Sequence, residues 1–325
     1  MIEREWLLPC LALTVGTVLF ACLAMPDHSG MIPALSMLPL WMGAAAFVGA
    51  ILGFSRMVSA RVPSPIAHIW SIATSERKWL VSLTFCMLLT GLNMVAFMWT
   101  KPLLNYIVPF RADLLLADAD RFLFLGHDPW TLLTWLNSHA WAVFYHRGWF
   151  ALMILTLIIV ANASPSVEKS AVMLTYFLLW SVVGPLIHTL IPAAGPIFFA
   201  ELGYGERFSG LAEVAATREV AAYLWSIYSE TGFGPGSGIS AMPSMHIATS
   251  AWMMIAFILF APRWSFIMAI CALLIFLLSI ALGWHYAMDG IVGAAAALLC
   301  YRTSLAFYRQ RHRTRLSNLY EPAFS

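Results

Sequence analysis

The sequence contains little charge. Only 10% of its 325 residues are Asp, Glu, Lys or Arg, whereas 61% are hydrophobic. A soluble domain of this length carries roughly 25% charged residues, so the composition excludes a water-soluble globular protein and predicts that much of the apolar surface faces lipid. The formal net charge of +2 is too small, and its charges are too scattered, to indicate nucleic acid binding.

Cysteine is scarce and follows no pattern. The five cysteines all fall in apolar runs, and no pair has the spacing of a metal site or a redox motif. We therefore expect them to be packing residues, and we expect no disulfide framework, no metal and no cofactor. They are Cys10, Cys22, Cys86, Cys271 and Cys300.

Long apolar runs dominate the rest of the chain. Crossing about 30 Å of hydrocarbon takes about 20 mostly apolar residues, and eight segments meet this requirement. The sequence therefore predicts an all-α, polytopic membrane helix bundle. The first segment could instead be a cleaved signal peptide, but the start Met-Ile-Glu-Arg-Glu lacks the positive region of a signal, so we expect a retained helix. The spans are predicted near Trp6–Met25, Pro33–Phe54, Trp79–Thr100, Trp141–Ala163, Ala171–Ile191, Met242–Ala261, Trp264–Gly283 and Tyr286–Phe307.

Lysine and arginine in the short loops predict the orientation. Residues 308–315 are strongly basic, and the loop 56–78 carries three arginines and a lysine. With an even number of spans these segments share one side, so we expect both termini in the cytoplasm, and the short loops favour a bacterial inner membrane. Two long segments, 101–140 and 192–241, then lie on the non-cytoplasmic side, where we expect the functional site.

The first of these long segments is not a plain loop. Residues 113–125 mix acids with an apolar face, and residues 127–136 show helical spacing of Trp and Leu. Both patterns predict helices lying in the membrane interface, with Trp130 and Trp135 as anchors. The whole chain divides into N-terminal membrane helices (1–100), a catalytic membrane core (101–310) and a basic cytoplasmic tail (311–325).

A glycine-rich turn leads into the most informative motif. Residues 232–246 read Gly-Phe-Gly-Pro-Gly-Ser-Gly-Ile-Ser-Ala-Met-Pro-Ser-Met-His, and an apolar helix is predicted to start at about Pro243. The free N–H groups and the positive dipole end of such a helix form an anion site, to which Ser240 and Ser244 add donors. His246 would lie beside a bound phosphate. The alternative interpretation is a helix cap followed by an interfacial histidine.

A second histidine stands at the mouth of the last span. His285 and Asp289 are four positions apart, so we expect them to share one helix face. A carboxylate in reach of a ring N–H fixes the tautomer and raises the basicity of the other nitrogen, as a nucleophilic imidazole requires. An acid at the edge of an apolar span is costly and indicates function, although the pair could also merely satisfy itself. His188 is a weaker candidate, either lining the pocket or packing.

These residues resemble a known superfamily. Ser240-Ala-Met-Pro-Ser-Met-His246 and His285-Tyr-Ala-Met-Asp289 are similar to the second and third signature motifs of the type 2 phosphatidic acid phosphatase superfamily. Within it, the chain more closely resembles the inositol phosphorylceramide synthases, through Ile191-Pro-Ala-Ala-Gly-Pro-Ile-Phe198 and Asp120-Arg-Phe-Leu-Phe-Leu-Gly-His-Asp-Pro129. The resemblance covers about residues 110–300 and implies phosphoryl transfer on a lipid phosphate or phosphodiester.

The resemblance also implies a role for each motif residue. His285 would attack phosphorus and become phosphohistidine, Asp289 would orient it, His246 would protonate the leaving oxygen, and Ser244 would hold the phosphoryl oxygens. The expected activity is a lipid phosphotransferase of the inositol phosphorylceramide synthase type, acting in sphingolipid metabolism with an alcohol such as inositol or a lipid hydroxyl as acceptor. A lipid phosphate phosphatase, with water as acceptor, would use the same residues. A transporter is a distant alternative, because transporters place ionisable residues in mid-span.

The chain departs from the superfamily pattern in its cations. Ile280 follows Ser279, where an arginine is usual, and the usual first motif, a lysine followed by an Arg-Pro pair, is absent. These departures favour the synthase-like branch over a simple phosphatase. Because phosphoryl transfer relies on positive charge, another cation should serve, although each candidate could instead contact lipid headgroups. The candidates for binding the substrate are Arg147, Arg207 and Arg218.

Overall fold

The structure is a computed structural model that describes residues 5–25, 28–213 and 215–320, and their side chains except at 212–216 and 316–320. Residues 1–4, on which the argument against a signal peptide depends, and the end of the predicted tail at 321–325 lie outside the described residues. The protein is 79% helical and the described residues contain no strand, which confirms the predicted all-α fold.

The described chain forms a series of α-helices joined by short connections. Segments of π-helix follow α7, at Phe144–Gly148, and α9, at Leu179–Val183. The α-helices are α1 (Leu7–Ala24), α2 (Met31–Leu35), α3 (Met37–Ser59), α4 (Pro65–Ser75), α5 (Arg77–Ile107), α6 (Asp113–Leu123), α7 (His139–Val143), α8 (Trp149–Asn162), α9 (Val167–Leu178), α10 (Gly184–Leu190), α11 (Ala215–Ser229), α12 (Met245–Phe260), α13 (Ser265–Ala281) and α14 (Ala287–Tyr320).

The helices make this an integral, multi-pass membrane protein. Among the described residues, seven helical segments are long and apolar enough to cross a membrane, and α12 is a shorter apolar helix. These eight elements correspond to the eight predicted spans. Helix α12 has 16 residues and is therefore about 24 Å long, shorter than the hydrocarbon core. Because α12 does not cross the whole hydrocarbon core, the glycine-rich turn before it can lie within the bundle.

Helix α12 lies at the centre of the bundle. It packs against α8, α9, α13 and α14, while α1 and α3 pack on the outer side, against α5 and α8. Its buried side chains include Trp252, whose indole Nε1–H donates to the carbonyl oxygen of Val172 on α9 (2.8 Å). The first turn of α12, which carries His246, is thus held by neighbouring helices on several sides.

Helix α5 is longer than the sequence predicts. The predicted span ends at Thr100 and the next residues are assigned to an external segment, but the helix continues to Ile107 and includes Lys101 and Pro102. A proline is tolerated within a membrane helix because neighbouring elements can satisfy the freed backbone groups. The predicted domain boundary between residues 100 and 101 falls inside this helix, and the three-part division stays a prediction.

Helix α6 has one face buried against the bundle and one apolar face exposed. Asp113 and Asp120 are buried, whereas Phe122 is 86% exposed. The following predicted helix is a 3₁₀ segment, Pro129–Leu136. Trp130 is half-buried and its ring packs on Phe208 at 6.5 Å, and its role as an anchor stays a prediction. Trp135 is 71% exposed, and its role as an anchor likewise stays a prediction.

Candidate active site

The two motif histidines meet. His246 lies in the first turn of α12 and His285 lies two residues before α14, and their ring centroids are 5.9 Å apart. The two motifs are joined directly, because the backbone N–H of Ser244 donates to the carbonyl oxygen of Asp289 (3.1 Å). Reacting atoms stand about 3–3.5 Å apart before a reaction, so one phosphoryl group fits between the rings.

The helix that carries His246 begins later than predicted. Helix α12 starts at Met245, so Pro243 lies outside it, and Ser244 is the N-cap. The hydroxyl oxygen of Ser244 accepts from the backbone N–H of Ile247 (3.4 Å) and the residue is fully buried. Its oxygen accepts this hydrogen bond in fixing the helix start, while its O–H can still donate, and the role in holding phosphoryl oxygens stays a prediction.

The tautomer of His285 follows from its hydrogen bond. Its Nδ1 lies 2.9 Å from the carbonyl oxygen of Ala241, and a carbonyl oxygen can only accept. The Nδ1 atom must therefore carry the hydrogen, which leaves the lone pair of the neutral ring on Nε2. Nε2 makes no hydrogen bond to the described residues, so its lone pair is free to act as a nucleophile.

Asp289 acts on His285 through its charge rather than through a hydrogen bond. Its Oδ2 atom is 3.6 Å from Nδ1 of His285, beyond hydrogen-bond length, and accepts from the backbone N–H of Tyr286 (2.8 Å). The prediction that both residues share a helix face is wrong, because α14 begins only at Ala287. The buried carboxylate can still stabilise positive charge on the imidazole.

His246 is clamped between two aromatic rings. Tyr145 stacks on it, with centroids 4.5 Å apart and planes 21° apart, and Trp149 lies 4.1 Å away. The indole of Trp149 is itself fixed, because Nε1–H donates to the hydroxyl of Thr249 (2.9 Å). The ring nitrogens of His246 make no hydrogen bond to the described residues. The ring is thus held rigidly while both nitrogens stay available to a substrate.

A third histidine, His146, stands beside the pair. Its ring centroid is 6.1 Å from that of His246 and 5.5 Å from that of Trp284, and its buried Nε2 has no hydrogen-bond partner. It lies in the π-helix Phe144–Gly148, and such bulges are frequent at functional sites. From the sequence we predict a role for its neighbour Arg147 and none for His146, because a π-turn redirects side chains in a way that residue spacing does not reveal.

Ser240 belongs to a buried polar network. Its hydroxyl lies 3.1 Å from Nδ1 of His188, and the side-chain NH₂ of Asn105 lies 3.1 Å from Nε2 of the same ring. Asn105 also bonds both backbone groups of Ile239, at 2.6 and 2.7 Å. His188 is therefore neither lipid-facing nor free. His188, on α10, links Asn105 on α5 to Ser240 in the glycine-rich turn.

Among the described residues, no hydrogen bond or ion pair joins any of the three predicted arginines to the histidines. Arg147 and Arg218 are exposed. Arg207 is held by Asp128 and Asp118, at 2.5 and 2.7 Å, and the hydrogen bond to Asp128 raises the pKa of its guanidinium. This arginine ties the loop after Phe199 to α6, so its charge is already balanced and is not free for a phosphate.

Two aspartates on α6 hold the backbone around the site. Asp113 accepts from the backbone N–H groups of Ala194 (3.0 Å) and Gly195 (2.8 Å) and from the hydroxyl of Tyr286 (3.1 Å). Burial nevertheless raises its pKa. Gly195 has a φ of +112°, and a Cβ there would lie 2.6 Å from the carbonyl oxygen of Trp284. A glycine is therefore required where this loop crosses the His285 segment.

Asp120, about two turns further along the same face of α6, caps the last helix. Its carboxylate accepts from the backbone N–H groups of Ala287 (2.6 Å) and Met288 (3.0 Å), which are the first residues of α14. In the sequence, Asp120 stands out only as part of a family resemblance. Nothing in its local pattern indicates that it binds the chain immediately after His285.

Asp120 should make the stability of the protein depend on pH. Burial raises its pKa from 3.8 to about 6, so its contribution to stability is complete below pH 3.8 and is lost as the pH rises through about 6. The full effect is on the order of 3 kcal/mol. We expect the apparent unfolding temperature of the wild type to fall, relative to that of Asp120→Asn, between about pH 4 and pH 7.

The exposed acid Glu201 provides the matched control. Its replacement, Glu201→Gln, should leave the shape of the pH profile unchanged. Parallel profiles for the wild type and Asp120→Asn would contradict the assignment of this decline to Asp120.

Fold and site together define a multi-pass membrane protein with a two-histidine pocket. Among the described residues, no group of three or more His, Cys, Asp or Glu is placed to hold a metal ion. A family model described as PAP2 superfamily, the type 2 phosphatidic acid phosphatases and their relatives, matches residues 114–303. Because this match covers more than half of the chain, the protein belongs to the PAP2 superfamily, whose members are phosphatases and phosphotransferases. No curated protein and no solved structure matches the chain.

Proposed function

We propose that this protein is a lipid phosphotransferase of the inositol phosphorylceramide synthase type, working through a phosphohistidine on His285. The observation that carries the proposal is the meeting of His246 and His285, with ring centroids 5.9 Å apart and with Nε2 of His285 unprotonated in the neutral ring. The missing motif arginine, with Ile280 after Ser279, supports the synthase-like branch over a simple phosphatase.

The reaction takes place in two steps. Nε2 of His285 attacks phosphorus while the bond from phosphorus to the leaving alcohol breaks, and protonated His246 gives its proton to the leaving oxygen. An acceptor hydroxyl, from a lipid such as ceramide or from inositol, then gives its proton to His246 and attacks phosphorus, and the N–P bond breaks. The second step restores both histidines to their starting states.

The site is proposed to face the non-cytoplasmic side of a bacterial inner membrane. Asp289 and Arg309 are 20 residues apart on α14, or about 30 Å, which is the thickness of the hydrocarbon core. At the far end, Arg309 pairs with Glu168 (3.4 Å) and Arg315 pairs with Glu5 (2.5 Å). This basic end supports a cytoplasmic location for both termini, opposite the histidines.

Turnover by the purified protein in lipid nanodiscs tests the proposal. We expect radiolabelled phosphatidylinositol, offered with ceramide, to yield a new phosphodiester lipid and diacylglycerol in equal amounts. Phosphatidic acid, offered alone, should release little phosphate. Phosphate release that is independent of any alcohol would identify a phosphatase instead.

Mass spectrometry of membrane lipids tests the proposed function in cells. Cells that lack the protein should lose one phosphodiester lipid, whereas accumulation of a lipid monophosphate would indicate the hydrolase. No change in either lipid class, together with inactive purified protein, would contradict both enzymatic functions.

A further inference from the structure

We propose that His146 and Trp284 form a subsite for a second, non-reacting hydroxyl of the acceptor alcohol, so that the protein selects acceptors with neighbouring hydroxyl groups. This inference rests on the proposed function, because it concerns the acceptor of the same transfer reaction. Neither residue belongs to the histidine, aspartate and serine set that the motifs assign to the chemistry.

Each of these two residues has a buried polar atom without a partner. Nε2 of His146 and Nε1 of Trp284 make no hydrogen bond to the described residues, although the ring centroids are only 5.5 Å apart. A buried donor or acceptor that stays unpaired is costly, and most buried polar groups in proteins are paired. Two such atoms on rings in contact indicate that one ligand group pairs with both.

The subsite lies on the side of the pocket where the alcohol oxygens are expected. The ring of His146 contacts that of His246, with centroids 6.1 Å apart, and His246 is the proposed acid and base. In phosphoryl transfer the attacking and leaving atoms stand roughly in line across phosphorus. The alcohol oxygen therefore meets His246, while His285 meets phosphorus from the other side. A polar atom beside His246 faces the alcohol.

The two atoms match the hydrogen-bonding capacity of a hydroxyl. The indole N–H of Trp284 can only donate, and Nε2 of a neutral His146 accepts when Nδ1 carries the hydrogen. A hydroxyl oxygen can accept from the indole while its O–H donates to the imidazole. A phosphoryl oxygen can only accept, so it would leave the lone pair of Nε2 unpaired. The reacting hydroxyl still gives its proton to His246, so the hydroxyl in the subsite is its neighbour on the same acceptor.

Adjacent residues fix the subsite relative to the acid. Tyr145 stacks on His246, with ring centroids 4.5 Å apart, and His146 follows Tyr145 in the π-helix after α7. Trp284 is buried and its ring packs on Phe198 at 6.3 Å. The turn that holds the acid therefore also holds the subsite beside it. An acceptor whose hydroxyls are close together can reach both, whereas water has no second hydroxyl to bind.

Paired acceptors that differ in their hydroxyls test the subsite, with phosphatidylinositol as the donor. One pair is ceramide and its analogue without the second hydroxyl, and the other is free inositol and cyclohexanol. We expect the wild type to use the hydroxylated member of one pair with a kcat/KM higher by about tenfold or more. His146→Phe should lose this preference, because it slows only on the hydroxylated member. The pair that shows the preference identifies a lipid diol or a free polyol as the acceptor.

Three further variants separate hydroxyl binding from packing. Trp284→Phe removes the indole N–H and should also lose the preference. Because both residues bind one hydroxyl, the double variant should lose no more than either single variant. His146→Gln, whose amide oxygen can accept from a hydroxyl, should keep part of the preference. His139→Phe, which changes an exposed histidine on α7, is the matched control and should keep all of it.

Two kinds of result would overturn the proposal. One is a wild type without preference in either pair, or a preference that survives in both His146→Phe and Trp284→Phe. The other is an equal loss on both members of each pair, because such a loss assigns the two residues to packing or to proton transfer.

The unfolding temperature provides a measurement that needs no turnover. Short-chain ceramide or inositol should raise the unfolding temperature of the wild type more than its less hydroxylated counterpart does, and this difference should vanish in His146→Phe. If the difference is present but the wild type turns over no lipid, the proposed function fails and the subsite stands. If the wild type turns over lipid without preference among the acceptors, only the subsite fails.

Discussion

Replacing His285 with glutamine should lower lipid turnover by about 10⁴-fold or more, as removal of an enzyme's nucleophile does. Glutamine keeps a polar side chain that can donate to the carbonyl oxygen of Ala241, which accepts from Nδ1 of His285 in the wild type. The backbone should therefore stay in place. What the variant lacks is the nucleophilic Nε2 atom, so no bond to phosphorus can form.

A trapped phosphoenzyme provides the more specific measurement. Wild-type protein quenched during turnover of a ³²P-labelled lipid should carry an acid-labile, base-stable label, as a phosphohistidine does, and His285→Gln should carry none. His68→Gln, which changes an exposed histidine on α4, should label and turn over like the wild type. A label that persists in His285→Gln would place the nucleophile elsewhere.

Replacing His246 with glutamine should slow turnover of a natural lipid by roughly 10²–10⁴-fold, the usual contribution of a general acid or base. The ring lies between Tyr145 and Trp149, at 4.5 and 4.1 Å, and 5.9 Å from His285. In this position it can protonate an alkoxide leaving group and later deprotonate the acceptor. Glutamine can do neither.

An activated substrate distinguishes these two steps. Nitrophenolate leaves without a proton, so His246→Gln should form the phosphoenzyme from a nitrophenyl phosphate at nearly the wild-type rate. Breakdown still needs a base, so the variant should release one burst of nitrophenolate per active site and then turn over slowly. His68→Gln should again behave like the wild type. Equal losses on both substrates, without a burst, would show that His246 acts in binding rather than in proton transfer.

The sequence predicts those parts of the site whose structure depends on residues close together in the chain. The histidine motifs stand next to helix starts, and a helix start is visible in sequence because capping residues, prolines and apolar runs are local. The predicted start at Pro243 is two residues early, since Ser244 is the cap and Met245 the first helical residue. Errors of this size are usual where helices begin.

The cations and carboxylates could not be placed in the same way. Charge and chemistry select Arg147, Arg207 and Arg218 from the sequence, but whether an arginine is free depends on which acids reach it. Arg207 meets Asp128 across 79 positions of sequence. The hydrogen-bond partners of Asp113 and Asp120 are likewise 81 and 167 positions away. No local spacing reports such contacts.

The amino-acid pattern alone predicts a bundle of membrane helices with two histidine motifs at helix starts, because apolar length and capping are properties of short segments. The surroundings of those histidines, in contrast, depend on contacts between segments that are distant in the chain. The carbonyl group of Ala241 sets the tautomer of His285, the carboxylates of α6 hold the backbone beside it, and α5 brings Asn105 against the glycine-rich turn. These features depend on how distant segments pack. Burial and hydrogen bonding across the bundle, rather than residue spacing along the chain, determine which polar groups are left free.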